Sequence, residues 1–174
     1  IYSYYKSGKN EETLATIDRF IRLNPNHSDV DYAYYMRGLT NMESDSNLFQ
    51  ELMNIDRTDR DPSKSRAAFE DFRRLIQQYP DSKYAADAKQ RMVHIKDRLA
   101  RYEIAIARFY MRRQAYVAAA NRGRYVIEHF SNTTQVQQAL EIMVSSYEQL
   151  GLDELRNNAM KTLKLNYPDS EFIS

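Results

Sequence analysis

The chain has 174 residues, the length of one domain or of one continuous repeat array. Its 25 basic and 24 acidic residues give a formal net charge of +1, which offers no support for nucleic-acid binding, because that needs a clear basic excess. The absence of cysteine excludes disulfides, thiolate metal sites and a cysteine nucleophile, and only four glycines and four prolines favour long helices over a β-rich fold.

Helix-stopping residues recur along the chain at matching positions. An apolar helix end is followed in turn by Pro25, Pro80, Ser131 and Pro168. A tyrosine stands 21 residues before three of these stops, at Tyr4, Tyr110 and Tyr147, and a glycine stands 17 residues before two of them, at Gly8 and Gly151. A tyrosine, a turn glycine four residues later and a second helix closed by proline form the tetratricopeptide pattern. The sequence therefore predicts an all-α fold, a tetratricopeptide α-solenoid.

The first half of the chain predicts three helices and one long inter-helix loop. Helices are expected over 10–23 and 62–79, because apolar residues recur there every three or four positions, and a further helix is expected over 29–42. The two apolar faces are Leu14, Ile17, Phe20 and Ile21, and Ala68, Phe72, Leu75 and Tyr79. The polar stretch 43–61 predicts the loop, with one short helix near Leu48–Met53. Asp61 and Pro62 are the expected N-cap and first helical residue of the helix that follows.

The second half predicts one unusually long helix. Residues 83–113 contain no glycine or proline, and one continuous helix of about 46 Å is the simplest interpretation. Its surface is expected to carry two ion pairs, Asp87–Arg91 and Asp97–Arg101. Its expected apolar stripe is Tyr84, Ala88, Met92, Ile95, Leu99, Tyr102, Ile106 and Phe109. Shorter helices over 115–130 and 135–150 carry the stripes Tyr116, Ala119, Ala120, Gly123, Ile127 and Phe130, and Val136, Leu140, Met143, Tyr147 and Leu150.

These segments predict a single array over residues 1–174. Its repeats would cover about 1–27, 28–82 with the insertion 43–61, 83–133 with the long first helix, and 134–170. Tyr4 falls at the eleventh position of a repeat, so the chain begins inside a hairpin. We therefore expect further repeat sequence before Ile1, since solenoids normally end in a polar cap.

The titratable residues form no catalytic or metal-binding pattern. His27, His94 and His129 lack the helical i,i+4 carboxylate or histidine partner of a metal site. No glycine-rich phosphate loop and no G-x-S-x-G motif occurs. The sequence therefore predicts a protein that is not an enzyme and that uses no metal and no cofactor.

Three tyrosines within four residues mark the first candidate binding surface. Most aromatic residues of the chain fall on the apolar stripes and are expected to pack within the repeats. Tyr32, Tyr34 and Tyr35 cannot all face one core, so at least one is expected to line a concave surface or to touch a partner.

A run of alternating charges marks a second candidate. It contains Asp56, Arg57, Asp59 and Arg60 and ends at Asp61. One interpretation is a solvated loop, or a local ion-pair network that ties the insertion to Arg66. The alternative is a cluster that fixes a binding loop, because exposed pairs alone stabilise a fold by only about 0–1 kcal/mol each.

The third candidate is Arg122-Gly123-Arg124. Gly123 stands where the repeat usually places a bulky aromatic residue, so the surface is expected to be dented there. Two arginines beside a dent would suit a carboxylate, because guanidinium binds carboxylates through two parallel hydrogen bonds. The alternative is a pair of ordinary exposed arginines on a helix.

Four stretches of the chain carry a family resemblance. They are IDRFIRLNPNH (17–27), DYAYYMRGLTNM (31–42), DRTDRDPSKSRAAF (56–69) and HIKDRLARYE (94–103). They closely resemble the BamD family, the tetratricopeptide lipoproteins of the outer-membrane β-barrel assembly machinery of Gram-negative bacteria. The similarity runs from Ile1 to about Ser170, and YMRGLTNM and DRTDRDP are specific rather than generic repeat consensus. The family's lipid-modified cysteine and first repeat are absent from this chain.

The resemblance implies a scaffold without catalytic activity, held by a lipid anchor on the periplasmic face of the outer membrane. In the family the C-terminal repeats bind the last polypeptide-transport-associated (POTRA) domain of BamA, which would place that contact near Arg122. The N-terminal repeats bind the lipoprotein BamC or unfolded outer-membrane protein segments. That surface would include Tyr32, Tyr35 and Arg37 and the DRTDRD loop.

Two other classes of function compete with this interpretation. The first is another tetratricopeptide adaptor of the bacterial envelope, which captures a peptide in pilus assembly, cell division or a chaperone pathway. Carboxylate clamps of that kind place lysine and asparagine at set positions of consecutive repeats, and no such set aligns here. The second is an enzyme with a helical accessory domain, for which the sequence supplies no nucleophile–base pair.

Overall fold

The protein is described by a computed structural model that covers residues 1–50 and 62–173, with the side chains of 1–44 and 62–173. All regular secondary structure in these residues is helical, which confirms the predicted all-α tetratricopeptide fold. The elements are α1 (Tyr2–Lys6), α2 (Asn10–Leu23), α3 (Val30–Gln50), α4 (Ser63–Gln78), α5 (Ala85–Arg112), α6 (Tyr116–His129), α7 (Val136–Gln149), α8 (Asp153–Asn166) and a 3₁₀ turn (Glu171–Ile173).

One turn geometry joins the two helices of three hairpins. The turn residues Gly8, Gln114 and Gly151 have φ angles of +68°, +58° and +67°. In each turn the next amide donates to the carbonyl of the repeat tyrosine, as Lys9 to Tyr4 (3.0 Å), Ala115 to Tyr110 (2.9 Å) and Leu152 to Tyr147 (2.9 Å). This is the Schellman motif, which needs a left-handed residue at the turn. The recurring Tyr and Gly positions therefore close a helix and reverse the chain.

The second helix of each hairpin also ends in a shared geometry. The residue after the helix has φ between −130° and −138° and donates its amide to the carbonyl four residues earlier, at Asn24, Tyr79, Phe130 and Tyr167. Pro25, Pro80, Ser131 and Pro168 follow directly. Ser131 thus follows a helix end with the same amide–carbonyl hydrogen bond as the three prolines.

The long helix is confirmed, and its predicted stripe is wrong at Phe109 and incomplete beyond Leu99. α5 runs without a break over 28 residues. Ala88, Ile95 and Leu99 are buried as expected, whereas Phe109 is 43% exposed. Beyond Leu99 the buried positions are instead Ala100, Glu103, Ile104 and Ala107. This part of α5 packs with α6 and α7 through small residues, so alanines are covered and the large ring stays outside.

The predicted loop over 43–61 is wrong in its first part. α3 continues to Gln50, because nothing in 43–50 stops a helix that is already anchored by its packed first half. Residues 51–61 lie outside the described residues. They include the rest of the short helix predicted near Leu48–Met53 and the predicted N-cap Asp61. Pro62 is the N-cap of α4, which begins at Ser63, one residue later than predicted.

The described residues form two compact units, one of residues 1–50 and 62–95 and the other of residues 96–173. In the first unit Ile17, Ala33 and Met36 form an apolar cluster, to which Phe20, Tyr32 and Tyr35 add partly buried rings. In the second unit Ala100, Ile104, Val126 and Ala139 form another. The single array over 1–174 stays a prediction. Among the described helices, none combines the length and apolar character needed to cross a membrane.

Candidate functional site

The first unit carries a cluster of stacked tyrosines, here called the tyrosine cluster, formed by Tyr32, Tyr35 and Tyr84. The Tyr35 ring stacks on the Tyr84 ring at 4.7 Å between centroids and an angle of 18°. The Tyr32 ring lies 5.6 Å from the Tyr84 ring at 44°. All three side chains are partly buried. Burial raises the pKa of Tyr32, helped by the neighbouring Tyr84.

The Tyr35 hydroxyl is fixed by a carboxylate on the next hairpin. Its Oη donates to Asp87 Oδ2 at 2.6 Å, and Arg91 Nε donates to the same oxygen at 2.6 Å. The hydrogen bond from Tyr35 lowers the pKa of Asp87, and Arg91 lowers it further. Burial, and then the bond to Asp87, raise the pKa of Tyr35. Tyr35 therefore keeps its proton and presents an oriented ring. The predicted Asp87–Arg91 ion pair is confirmed.

Tyr34 points away from the tyrosine cluster. It is 8% exposed and its ring lies 6.3 Å from the Tyr79 ring. The guanidinium groups of Arg37 and Arg74 lie 5.3 Å and 5.7 Å from its ring centroid. The prediction that Tyr32, Tyr34 and Tyr35 cannot face one core is therefore confirmed. Their contact with a partner stays a prediction.

Arg37 is engaged within the chain. Its Nε and Nη2 lie 2.9 Å and 2.7 Å from Asp71 Oδ1, and its Nη1 donates to Asp18 Oδ1 at 2.6 Å. Arg37 thus joins α2, α3 and α4. This side chain was predicted to contact a partner, but its bonds to Asp71 and Asp18 first give it a role in holding the first unit together.

An open cavity of about 520 Å³ adjoins the tyrosine cluster. Tyr32 and Tyr84 line it together with Asp31 of α3 and with polar residues of the two inter-hairpin turns, namely Ser28, Asp29, Asp81, Ser82 and Lys83. Ser82 Oγ donates to Asp31 Oδ2 at 2.6 Å, which fastens one turn to α3. The cavity therefore offers aromatic faces beside carboxylates. The predicted loop residues Asp56, Arg57, Asp59 and Arg60 lie outside the described residues, and their role stays a prediction.

The second unit presents Arg122 on α6, here called the Arg122 site. Arg122 Nη1 donates to Glu103 Oε2 on α5 at 3.0 Å. The Glu103 side chain is 2% exposed, whereas that of Arg122 is 41% exposed. The pair therefore has one end inside the hairpin and one end at the surface.

The dent predicted at Gly123 is not present. Gly123 is buried, and an added Cβ would lie 2.8 Å from Met143 Cγ and 2.9 Å from the Ala139 carbonyl oxygen. The missing side chain lets α6 approach α7, so the space is filled by the neighbouring helix. The apolar stripe predicted for this helix already contained Gly123, and the structure agrees with that placement and not with a surface dent.

Two neighbours on α6 complete this surface. Arg124 is exposed, with Nε 3.7 Å from Glu128 Oε1 and Nη2 donating to Asn121 Oδ1 at 3.3 Å. Tyr125 is 37% exposed and its ring lies 4.2 Å from the His129 ring. Sequence analysis missed Tyr125, although its spacing of three residues from Arg122 places both on one helix face.

Sequence analysis also missed Glu103. Its signal was a charged residue within the repeating apolar positions of α5, four residues after Leu99 and four before Ala107. A charge on a buried stripe is unusual and marks a partner nearby. Only the fold could supply that partner, because Arg122 lies 19 residues further along the chain.

Comparison with known proteins identifies the family. The family model described as YfiO, outer membrane lipoprotein, matches residues 1–163. An outer membrane protein assembly factor BamD from Vibrio cholerae is 47% identical over 166 residues, which cover 95% of this chain and 69% of the relative. Proteins of the same name from Neisseria meningitidis serogroup A and Xylella fastidiosa (strain 9a5c) are 42% and 37% identical, over 99% of this chain and 65% and 59% of their own lengths.

The chain thus spans roughly two thirds of the length of these relatives. Relatives from three genera share the name of an assembly factor, and none of these names describes an enzyme. The resemblance to the BamD family, which four sequence stretches predicted, is confirmed. The chain belongs to the YfiO family of outer membrane lipoproteins.

Proposed function

We propose that this protein is a non-catalytic scaffold in the assembly of outer-membrane β-barrel proteins, and that each unit presents its own binding surface. The names of its relatives, outer membrane protein assembly factors, support this role. Stacked helical hairpins suit it, because their surfaces are built by packed side chains and change little on binding. The lipoprotein family supports a position at the periplasmic face of the outer membrane, held by a lipid anchor.

The Arg122 site is proposed to bind the POTRA domain of BamA. The observation that carries this assignment is that Arg122 is partly exposed while its guanidinium pairs with the buried Glu103. Arginine and tyrosine are the residues most often found as energetic anchors of interfaces, and Arg122 and Tyr125 share one exposed face. A carboxylate on the partner would complete the pairing of Arg122.

The tyrosine cluster is proposed to bind BamC, other Bam lipoproteins or unfolded outer-membrane protein segments. Tyrosine gives a large apolar contact area at little conformational cost and keeps a polar edge for a hydrogen bond. Tyr35 is already fixed by its hydrogen bond to Asp87. The adjoining cavity supplies polar groups that could form hydrogen bonds with the main chain of an unfolded partner segment. Arg37 contributes by holding α3, which carries Tyr32 and Tyr35, against α2 and α4.

The test is titration calorimetry with the soluble POTRA region of BamA. Arg122→Glu is expected to weaken binding at least tenfold, because it removes the cation and adds an anion facing an acidic partner. Arg73→Glu is the matched control, since Arg73 is an exposed arginine that pairs with Glu70 on α4 of the other unit. Circular dichroism is expected to give the same helix content for both variants.

Equal affinity of the wild-type protein and Arg122→Glu would remove Arg122 from the binding surface. Loss of binding in Arg73→Glu as well would indicate a general charge effect. If no POTRA binding is measured for the wild-type protein, the proposed contact with BamA is wrong.

A further inference from the structure

A carboxylate lies inside the apolar stripe of α5. Glu103 is 2% exposed, and its neighbours Ala100, Ile104 and Ala107 are buried apolar residues. A carboxylate in this position loses its hydration, which costs free energy unless the group is paired and hydrogen-bonded. Even when paired, a buried ion pair seldom stabilises a fold more than well-packed apolar residues of the same volume. Stability alone therefore does not account for Glu103.

Glu103 contacts the residue that carries the proposed BamA contact. Arg122 Nη1 donates to Glu103 Oε2 at 3.0 Å, and within the described residues Arg122 makes no further hydrogen bond or ion pair. The guanidinium is a rigid planar fork with five N–H groups. One edge is used by Glu103, so the donors on Nε and Nη2 remain available on a side chain that is 41% exposed.

The backbone that carries Arg122 is fixed as well. The next residue, Gly123, lies against α7, where an added Cβ would be 2.9 Å from the Ala139 carbonyl oxygen. Val126, one turn further on, is fully buried in the apolar cluster with Ala100 and Ile104. Both the main chain and the end of the Arg122 side chain are therefore held in place.

We propose that Glu103 is a positioning residue, which holds the Arg122 guanidinium so that Nε and Nη2 face an acidic group of the partner. This inference rests on the proposed function of the Arg122 site. An arginine that is ordered before binding loses less side-chain entropy when the complex forms. The negative charge of Glu103 does not assist the attraction of an acidic partner. Its contribution therefore lies in the lifetime of the complex rather than in the rate of encounter.

The experiment measures association and dissociation rates with the soluble POTRA region by surface plasmon resonance. Glu103→Gln keeps the side-chain shape and removes the charge. It is expected to raise the dissociation rate about two- to tenfold, the size of the ordering cost of one long side chain. The association rate stays equal or rises, because the variant is less acidic near the contact. Glu148→Gln, at an exposed glutamate that pairs with Arg156, is the matched control and changes neither rate.

A double-mutant comparison separates positioning from a general structural effect. In an Arg122→Ala background Glu103→Gln is expected to leave the dissociation rate unchanged, since there is no guanidinium left to hold. An equal increase of the dissociation rate in both backgrounds would overturn the proposal. ¹⁵N relaxation of Arg122 Nε measures the mobility of the Arg122 side chain without the partner. We expect this mobility to be greater in Glu103→Gln than in the wild-type protein. Equal mobility in the two proteins would count against the proposal.

The two proposals fail in different ways. If Arg122→Ala and Arg122→Glu both bind the POTRA region as the wild-type protein does, the proposed function of this site is wrong. If those variants weaken binding and Glu103→Gln does not change the dissociation rate, the site stands and Glu103 is not its positioning residue.

Discussion

Arg37 on α3 binds Asp71 on α4 through two nitrogen atoms, with Nε at 2.9 Å and Nη2 at 2.7 Å from the same carboxylate oxygen. The other oxygen of Asp71 accepts a hydrogen bond from Asn41 Nδ2 at 3.2 Å. The Asp71 side chain is 8% exposed, and burial raises its pKa against the opposing effect of Arg37. The pair links two helices through residues that are 34 positions apart in sequence.

Removal of Arg37 is predicted to destabilise the protein strongly. Arg37→Leu leaves the Asp71 carboxylate buried without its cation, which typically costs about 3–5 kcal/mol. Arg73→Leu is the control, because Arg73 forms an exposed pair whose loss costs about 0–1 kcal/mol. Urea unfolding followed by circular dichroism measures both. Similar losses in the two variants would mean that the Arg37–Asp71 pair is not a main contact of the first unit.

The tyrosine cluster predicts a pH dependence at low pH. The pKa of Asp87 in the folded protein is below its ordinary value of 3.8, so the stability that its contacts give is fully present above pH 3.8. It is lost as the pH falls through the lower folded pKa, where both states bind the proton. The difference in unfolding free energy between the wild-type protein and Asp87→Asn should therefore shrink in that window. A constant difference between pH 2 and 6 would contradict the lowered pKa.

The hydroxyl group of Tyr35 is predicted to be the largest single cause of the lowered pKa of Asp87. Tyr35→Phe removes the donor to Asp87 and should move the pKa of Asp87 up toward 3.8, as followed by ¹³C NMR of its carboxyl group. Tyr84→Phe is the control, because Tyr84 stacks on Tyr35 and is not among the groups that shift Asp87. An unchanged pKa in Tyr35→Phe would leave Arg91 as the cause.

At the hairpin turns, introducing glycine and replacing glycine are predicted to have opposite effects on the stability of the protein. Gln114 has φ +58°, a left-handed conformation in which Cβ approaches the carbonyl oxygen, so Gln114→Gly should stabilise the protein by about 1 kcal/mol. Gly151→Ala should destabilise it by about the same amount, although an added Cβ meets no atom there. Gln114→Ala keeps the Cβ and serves as the control. Thermal unfolding in which Gln114→Ala gains as much as Gln114→Gly would rule out backbone strain as the reason.

The approach of α3 to α4 predicts a coupling between Gly38 and Phe72. An added Cβ at Gly38 would lie 2.5 Å from Phe72 Cε1, so Gly38→Ala should cost about 1–3 kcal/mol through overpacking. Phe72→Leu removes the far part of the ring and should make Gly38→Ala less costly in a double-mutant cycle. Additive losses measured by urea unfolding would show that the two sites do not compete for space.

The sequence predicted helix bounds well, because helix ends depend on residues that are close together in sequence. The bounds of α2, α5 and α6 were predicted to within two residues, because apolar spacing and stop residues act within one or two turns. Residues 43–50 were misread as loop because their polarity was taken as a stop, although no residue there breaks a helix. The stripe beyond Leu99 included the exposed Phe109 and missed the buried Ala100, Glu103, Ile104 and Ala107. Spacing of three and four residues leaves two adjacent helix faces possible, and only the neighbouring helices decide which face is covered.

The sequence by itself determined the helical hairpins, their turns and the family. These features depend on residues a few positions apart and on short continuous motifs that can be recognised in the sequence. The tertiary structure alone decided which charges meet. Glu103 and Arg122 are separated by 19 residues and Arg37 and Asp71 by 34, and no local pattern shows that their side chains are 3 Å apart or less. The physical reason is that burial and pairing of a charge depend on the helix packed against it, which the chain supplies only once it has folded.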